Sequence, residues 1–134
     1  MSRFIILKKK LDNFDIKLNV PGDKSLSIRW VLFASIGDGV SRAKNLLMSE
    51  DVIAAISAVK KFGIKVNIKN NETKIYGKGI NGYQYKKNLT IDAKNSGTLG
   101  RLILGLLVNS PYTIKLIGDK SLSKRDFKRI SDPL

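Results

Sequence analysis

The chain has 134 residues, 43% of them apolar, and 25 Lys and Arg against 11 Asp and Glu give a formal charge of +14, a globular balance at a length that suits one domain. It contains no cysteine and no histidine, which excludes a disulfide framework, a Cys/His zinc site and Ser-His or Cys-His catalysis. No apolar run approaches the roughly 20 residues of a membrane span, and the opening residues lack a signal peptide's charge-then-apolar order, so a cytoplasmic protein with no membrane partner is expected.

Residues 3–9 and 14–20 alternate loosely and predict two short strands around the turn Asp12-Asn13. Pro21-Gly22-Asp23 breaks the chain, and residues 25–36 predict a helix with Leu26, Trp30, Val31, Phe33 and Ala34 on a broad apolar face. Gly37-Asp38-Gly39 is expected to end it, and residues 40–47 to form a strand. Ser49-Glu50-Asp51 starts a second helix, with acids where the helix dipole favours them, running to a C-terminal cap at Gly63. Residues 64–68 and 73–76 predict a hairpin through Asn70-Asn71. A strand at 89–93, an apolar helix at 97–108 and a strand at 112–117 follow, with a new helix expected near Arg125. This order implies an α/β or α+β fold, helices packed on a sheet.

Nineteen of the 25 basic residues are lysines and they are scattered, which suits a solvated surface. A charge of +14 also makes nucleic acid a partner to weigh, as in a small basic binding domain, but no aromatic cluster or RNA-binding signature accompanies it. A third role for cations is to attract small phosphorylated anions at a few fixed positions, and three motifs favour it.

The first is Pro21-Gly22-Asp23-Lys24-Ser25-Leu26-Ser27-Ile28-Arg29. A glycine turn feeds a helix start, where free N–H groups bind anions, and Lys24, Ser25 and Arg29 add donors on one side. The second is Asn95-Ser96-Gly97-Thr98-Leu99-Gly100-Arg101, a small polar turn before an apolar helix. Gly97 allows a close approach to the backbone, and Asn95, Ser96 and Thr98 offer polar partners. The third is Gly118-Asp119-Lys120-Ser121-Leu122-Ser123-Lys124-Arg125, whose first six residues repeat residues 22–27 at a spacing of 96 and reach an Arg at the same offset. Asp23, Asp51, Asp92 and Asp119 stand at turns or helix starts, where capping accounts for them. No paired carboxylates stand out, so a general acid or base is Lys24 or lies beyond this chain.

Together these three motifs, in order and spacing, resemble the enolpyruvyl transferases, in the branch that acts on shikimate 3-phosphate. The resemblance implies a transferase that moves the enolpyruvyl group of phosphoenolpyruvate to the 5-hydroxyl of shikimate 3-phosphate and releases phosphate, a step of the shikimate pathway to chorismate and aromatic amino acids. It implies no metal and no organic cofactor. The implied fold is an inside-out α/β barrel, two domains of three βαβαββ units each, with ligands in the cleft between them. Residues 1–20 would then pack with the opposite domain, and residues 21–134 would form a partial domain of about two units. Lys24 is implied to contact both substrates and serve catalysis. Ser25 and Arg29 are implied for shikimate 3-phosphate, and Gly97 and Arg125 for phosphoenolpyruvate, with Asn95, Ser96, Thr98 and Arg101 nearby.

Two departures stand out. The family follows its third-motif Arg with Pro-Met, whereas Asp126-Phe127 follow Arg125, and an acid there is expected to weaken the hold on an anion by pairing with Arg125. The chain also lacks the family's later Ser-Ser-Gln segment and proton-transfer carboxylates, so it reads as an N-terminal piece without turnover of its own. Helix faces at 52–62 and 97–108 are then expected to stay partly uncovered. The sibling branch that acts on UDP-N-acetylglucosamine is the alternative within this chemistry. It carries Asn after the opening Lys and a reactive Cys, where this chain has Ser25 and no Cys.

Overall fold

The computed structural model describes residues 5, 6, 8 and 15–134. The expected strand at 3–9 and the Asp12-Asn13 turn lie largely outside the described residues. Residues 15–20 carry no strand, and Ile16, Leu18 and Val20 are exposed, so the expected strand at 14–20 is corrected. Their apolar side chains meet no partner surface among the described residues. One tether is the Asn45 Nδ2, which donates to the Val20 carbonyl at 3.2 Å.

Helix α1 (Lys24–Ile36) starts at Asp23, whose side chain accepts the Leu26 N–H at 2.7 Å, a cap of about 1 kcal/mol. Its buried face is Ser27, Ile28, Val31, Leu32, Ala34 and Ser35. Leu26 and Phe33 are exposed instead, which corrects the apolar face expected for this helix. A 3.6-residue period puts 27, 28, 31, 32 and 35 on one stripe and 26, 30 and 33 on another. Of the second only Trp30 packs against the core, half-buried, whereas the first is buried in it. Each fully buried Ile, Val or Leu of that stripe contributes about 1.5–3 kcal/mol.

The Gly37 N–H bonds back to Phe33, but Asp38 and Gly39 already belong to β1 (Asp38–Lys44), two residues before the expected start. Helix α2 (Glu50–Lys61) ends with the Ile64 N–H on the Val59 carbonyl and the Gly63 N–H on Lys60. Gly63 takes φ +80°, the left-handed cap conformation that glycine adopts without steric cost. Strands β2 (Lys65–Lys69) and β3 (Glu72–Lys78) form the expected hairpin. Asn70 and Asn71 both have positive φ, 51° and 59°, as a two-residue turn matched to strand twist requires. β1 and β2 both pair antiparallel with β3 in the order β1-β3-β2, so α2 crosses from one edge of this sheet to the other.

β4 (Thr90–Asp92), α3 (Gly97–Leu107) and β5 (Lys115–Ile117) follow, with β4 and β5 a parallel pair joined through the helix. β5 is three residues, shorter than the expected 112–117. The helix expected near Arg125 is also corrected. Leu122–Lys124 form one 3₁₀ turn, Arg125 is extended, and a four-residue α4 (Lys128–Ser131) comes after it. After Ser27 the first hexapeptide meets Ile28, Val31 and Leu32, a stripe that can be buried. After Ser123 the second meets Lys124, Arg125 and Asp126, and of the positions matching Ile28, Val31 and Leu32 only Phe127 is apolar, too little to hold a helix down.

The core runs between the helices and the antiparallel sheet through Ile28, Val31, Val52, Val59, Phe62 and Ile75 and extends to Ile91, Leu99 and Ile103. Tyr83 stacks on Phe62 at 4.8 Å between ring centroids, and its hydroxyl hydrogen-bonds Ser35 at 2.5 Å. Burial pushes the Tyr83 phenol above its ordinary pKa. Among the described residues no helix is long and apolar enough to cross a membrane.

Candidate functional site

The α1 end of the site is built by close backbone packing. A Cβ on Gly22 would collide with the Asn45 carbonyl oxygen, so the glycine lets the chain pass against the end of β1. The buried Ser27 hydroxyl donates to the Asp23 carbonyl at 2.6 Å and accepts the Leu47 N–H at 3.1 Å, tying the helix start to the same segment. With the Leu26 and Ser27 N–H groups taken by Asp23, the Lys24 and Ser25 N–H groups are left as first-turn donors without an intrahelical acceptor. Lys24 Nζ pairs with Asp51 Oδ2 at 3.1 Å, on the first turn of α2. Arg29 Nη1 donates to the Ser25 carbonyl at 3.2 Å, so Arg29 folds back over Ser25 as the one-turn spacing implied.

The α3 end unites the second and third motifs. Ser96 is buried, and its hydroxyl caps α3 by accepting the Leu99 N–H at 3.2 Å. Thr98 is half-buried on the same first turn. Arg125 comes from 28 residues downstream and lays its guanidinium on Gly97: a Cβ there would stand 2.6 Å from Arg125 Nη1 and 3.3 Å from Arg101 Nη1. Arg125 Nη2 donates to Asn95 Oδ1 at 2.9 Å, and Asn95 Nδ2 donates to Asp119 Oδ2 at 2.6 Å. Gly97, Asn95, Arg101 and Arg125 therefore share one place. Asp119 also caps the 3₁₀ turn, and the Leu122 N–H, the Asn95 amide and the Arg125 charge hold its carboxyl below the usual carboxylate range.

The expected pairing of Asp126 with Arg125 does not form. Asp126 Oδ1 accepts the Lys128 N–H at 2.8 Å, opening α4, and its carbonyl accepts from Arg101 Nη2 at 3.4 Å. Capping the next turn offers the carboxylate a backbone donor two residues away, which a neighbouring side chain in extended conformation does not. Arg101 also lies 5.6 Å from the Phe127 ring centroid, with its Nε buried and unpartnered.

Among the described residues the ion pairs are Lys24–Asp51, Lys74–Glu72 and Lys94–Asp92, so Arg29, Arg101 and Arg125 have no carboxylate within 4.0 Å. Asp92 raises Lys94 above the ordinary lysine value, and Glu50 of α2 adds a smaller attraction. Asp51 reaching Lys24 brings the first turns of α1 and α2 together, and Glu50 of α2 acts on Lys94, three residues before α3. Helix dipoles with Arg29 at the α1 start, and with Arg101 and Arg125 at the α3 start, suit each of these two places to phosphate and carboxylate groups. Asp51 and Asp119 were legible in the sequence as caps; their cross-chain partners were not.

Residues 9–134 match the family model described as EPSP synthase (3-phosphoshikimate 1-carboxyvinyltransferase). A Bacillus cytotoxicus protein named 3-phosphoshikimate 1-carboxyvinyltransferase is 44% identical over 115 residues, 86% of this chain and 27% of its own length. A Bacillus velezensis protein of the same name is 35% identical over 127 residues, 95% of this chain and 29% of its own length. The solved structure of an EPSP synthase from Acinetobacter baumannii superposes with a TM-score of 0.80 at 36% identity, covering 87% of this chain and 27% of that one. The chain thus spans little more than a quarter of the length of these relatives, and its mixed α/β architecture is part of their inside-out α/β domain. On the family match over residues 9–134 and on these relatives, the chain belongs to the EPSP synthase family.

Proposed function

We propose that this chain supplies one wall of an enolpyruvyl transfer site, in an enzyme that joins phosphoenolpyruvate to the 5-hydroxyl of shikimate 3-phosphate. The 5-hydroxyl gives up its proton as its oxygen adds to C2 of phosphoenolpyruvate, and C3 takes a proton to become a methyl group. The tetrahedral adduct then loses one C3 proton and phosphate, so that in the net reaction the hydroxyl proton leaves with the phosphate. Lys24 lies where both anions meet, Ser25 and Arg29 hold shikimate 3-phosphate, and Gly97 and Arg125 hold phosphoenolpyruvate. Asn95, Ser96, Thr98 and Arg101 line the same place. The observation that carries this reading is the Arg125 guanidinium lying on Gly97 at the start of α3, next to the unpaired Arg101. A helix start with no side chain at its first residue and cations over it fits a small phosphorylated anion better than a polymer.

In this reading the protein is cytoplasmic, uses no metal or organic cofactor, and has no nucleic-acid role. Residues 21–134 form a partial enolpyruvyl transferase domain of about two of its three units. Sequence outside this span supplies the other wall of the cleft and the proton-transfer carboxylates, so the 134-residue chain alone binds but does not turn over. Titration calorimetry with each substrate and a phosphate-release assay with both test this. Binding that Arg29→Ala and Arg125→Ala each weaken, with no phosphate release, is the expected result. No binding of either anion at millimolar concentration, alongside RNA binding that falls steeply with salt, would overturn it.

A further inference from the structure

We infer that Asp119 is a positioning residue that acts through Asn95 to set the Arg125 guanidinium on Gly97. The relay is continuous: Asp119 Oδ2 to Asn95 Nδ2 at 2.6 Å, Asn95 Oδ1 to Arg125 Nη2 at 2.9 Å, and Arg125 Nη1 over Gly97. Its polarity is dictated by the end groups. An ionised carboxylate only accepts and a guanidinium only donates. The amide between them satisfies both in one orientation alone, with NH2 toward Asp119 and oxygen toward Arg125. Arg125 is exposed and long, so without this relay it would spend its rotamer freedom in solvent.

Capping does not account for the contact. The identical hexapeptide at residues 22–27 caps its helix with the same geometry, Asp23 Oδ1 to Leu26 N at 2.7 Å against Asp119 Oδ1 to Leu122 N at 2.7 Å. One oxygen suffices for that. In the second copy the spare oxygen reaches a residue 24 positions away, and in the first it has no recorded side-chain partner among the described residues. The two copies also occupy different places in the fold: the first opens the helix before β1, whereas the second follows β5, as Ser49 follows β1.

The identity of the anion rests on the reading proposed above; the relay itself does not. The test uses the full 134-residue chain with Asp119→Asn, Asn95→Ala and the double variant. Asn caps as well as Asp, so the 3₁₀ turn is kept, but an amide at 119 can donate or accept and no longer dictates the Asn95 orientation. NMR of the ligand-free chain should show Asp119→Asn shifting the Asn95 NH2 and Arg125 guanidinium signals while the Leu122 amide stays bonded. Phosphoenolpyruvate affinity should fall roughly threefold to tenfold, and the double variant should be no weaker than Asn95→Ala alone. Unmoved Arg125 signals in Asp119→Asn, or additive losses in the double variant, would overturn the inference. If no form of the chain binds phosphoenolpyruvate, the ligand reading fails and the ligand-free spectra still decide the relay.

Discussion

Gly97 and Arg125 are in contact: the guanidinium occupies the space that a side chain at residue 97 would need, with Nη1 2.6 Å from an ideal Cβ. The obstacle is the far end of a flexible, exposed side chain, so folding can accommodate a methyl group there by moving it. Gly97→Ala should therefore change unfolding free energy by no more than about 1 kcal/mol, since helix propensity gains offset the displacement. Affinity for phosphoenolpyruvate should fall about tenfold, the value of a displaced charged hydrogen-bond donor. Urea denaturation and calorimetry on the same variant separate the two effects.

Gly22→Ala should behave in the opposite way. Its Cβ would meet the Asn45 carbonyl oxygen and lie 3.0 Å from the Leu47 N, both backbone atoms that cannot swing aside. A loss of about 1–3 kcal/mol is expected from the forced backbone shift. A urea midpoint equal to wild type would show that the glycine of the opening motif is not there for packing.

Asp51 holds Lys24 and sits in the first turn of α2. Asp51→Asn removes an ion pair that is half exposed on the lysine side, worth about 0.2–1 kcal/mol, and a favourable charge–dipole contact of about 0.3–1 kcal/mol. Stability should drop by about 1 kcal/mol at low salt, and the difference should shrink at 1 M salt, where screening is strong. An unchanged difference at high salt would mean the loss is not electrostatic.

The turn residues Asn70 and Asn71 are left-handed, at φ 51° and 59°. Asn70→Ala should cost about 1 kcal/mol, because a Cβ without a polar side chain gains nothing from that conformation. Asn71→Gly should be neutral or slightly stabilising, as Asn-Gly suits this turn best. Thermal melts of the pair, in opposite directions, check the turn type.

Acid should destabilise the chain. Hydrogen bonding to Lys94 lowers the Asp92 pKa, and the Leu122 N–H lowers that of Asp119. A carboxylate whose folded pKa is depressed adds stability that is present above its unfolded value, about 4, and lost as pH falls through the folded one. Lys94 is raised, so its share is present below the unfolded lysine value and lost as pH rises through the folded one. Urea midpoints between pH 7 and pH 3 should decline below about pH 4, and less so in Asp92→Asn.

Much of the chain was legible before its structure. The helix periods, the Asn-Asn turn and the glycine cap at Gly63 are local, set by backbone sterics and by which residues can be left-handed or cap a helix. The three motifs carried the family because their residue types and spacing are themselves the signal. What the sequence could not show depends on partners far along the chain. Leu26, Trp30 and Phe33 form as good an apolar stripe as Ile28, Val31 and Leu32, and contact with β3 and α2 buries the second fully while Leu26 and Phe33 stay exposed and Trp30 is half-buried. The same Gly-Asp-Lys-Ser-Leu-Ser opens a 13-residue helix, Lys24–Ile36, at 22–27 and leads only into a single 3₁₀ turn, Leu122–Lys124, at 118–123. A hexapeptide can specify its cap, but not whether an apolar face beyond it finds a surface to cover. Likewise the sequence named Arg125, Asn95 and Gly97 separately, and tertiary packing alone brought one guanidinium onto one glycine, because direction and distance across 28 residues are decided by the sheet and helices between them.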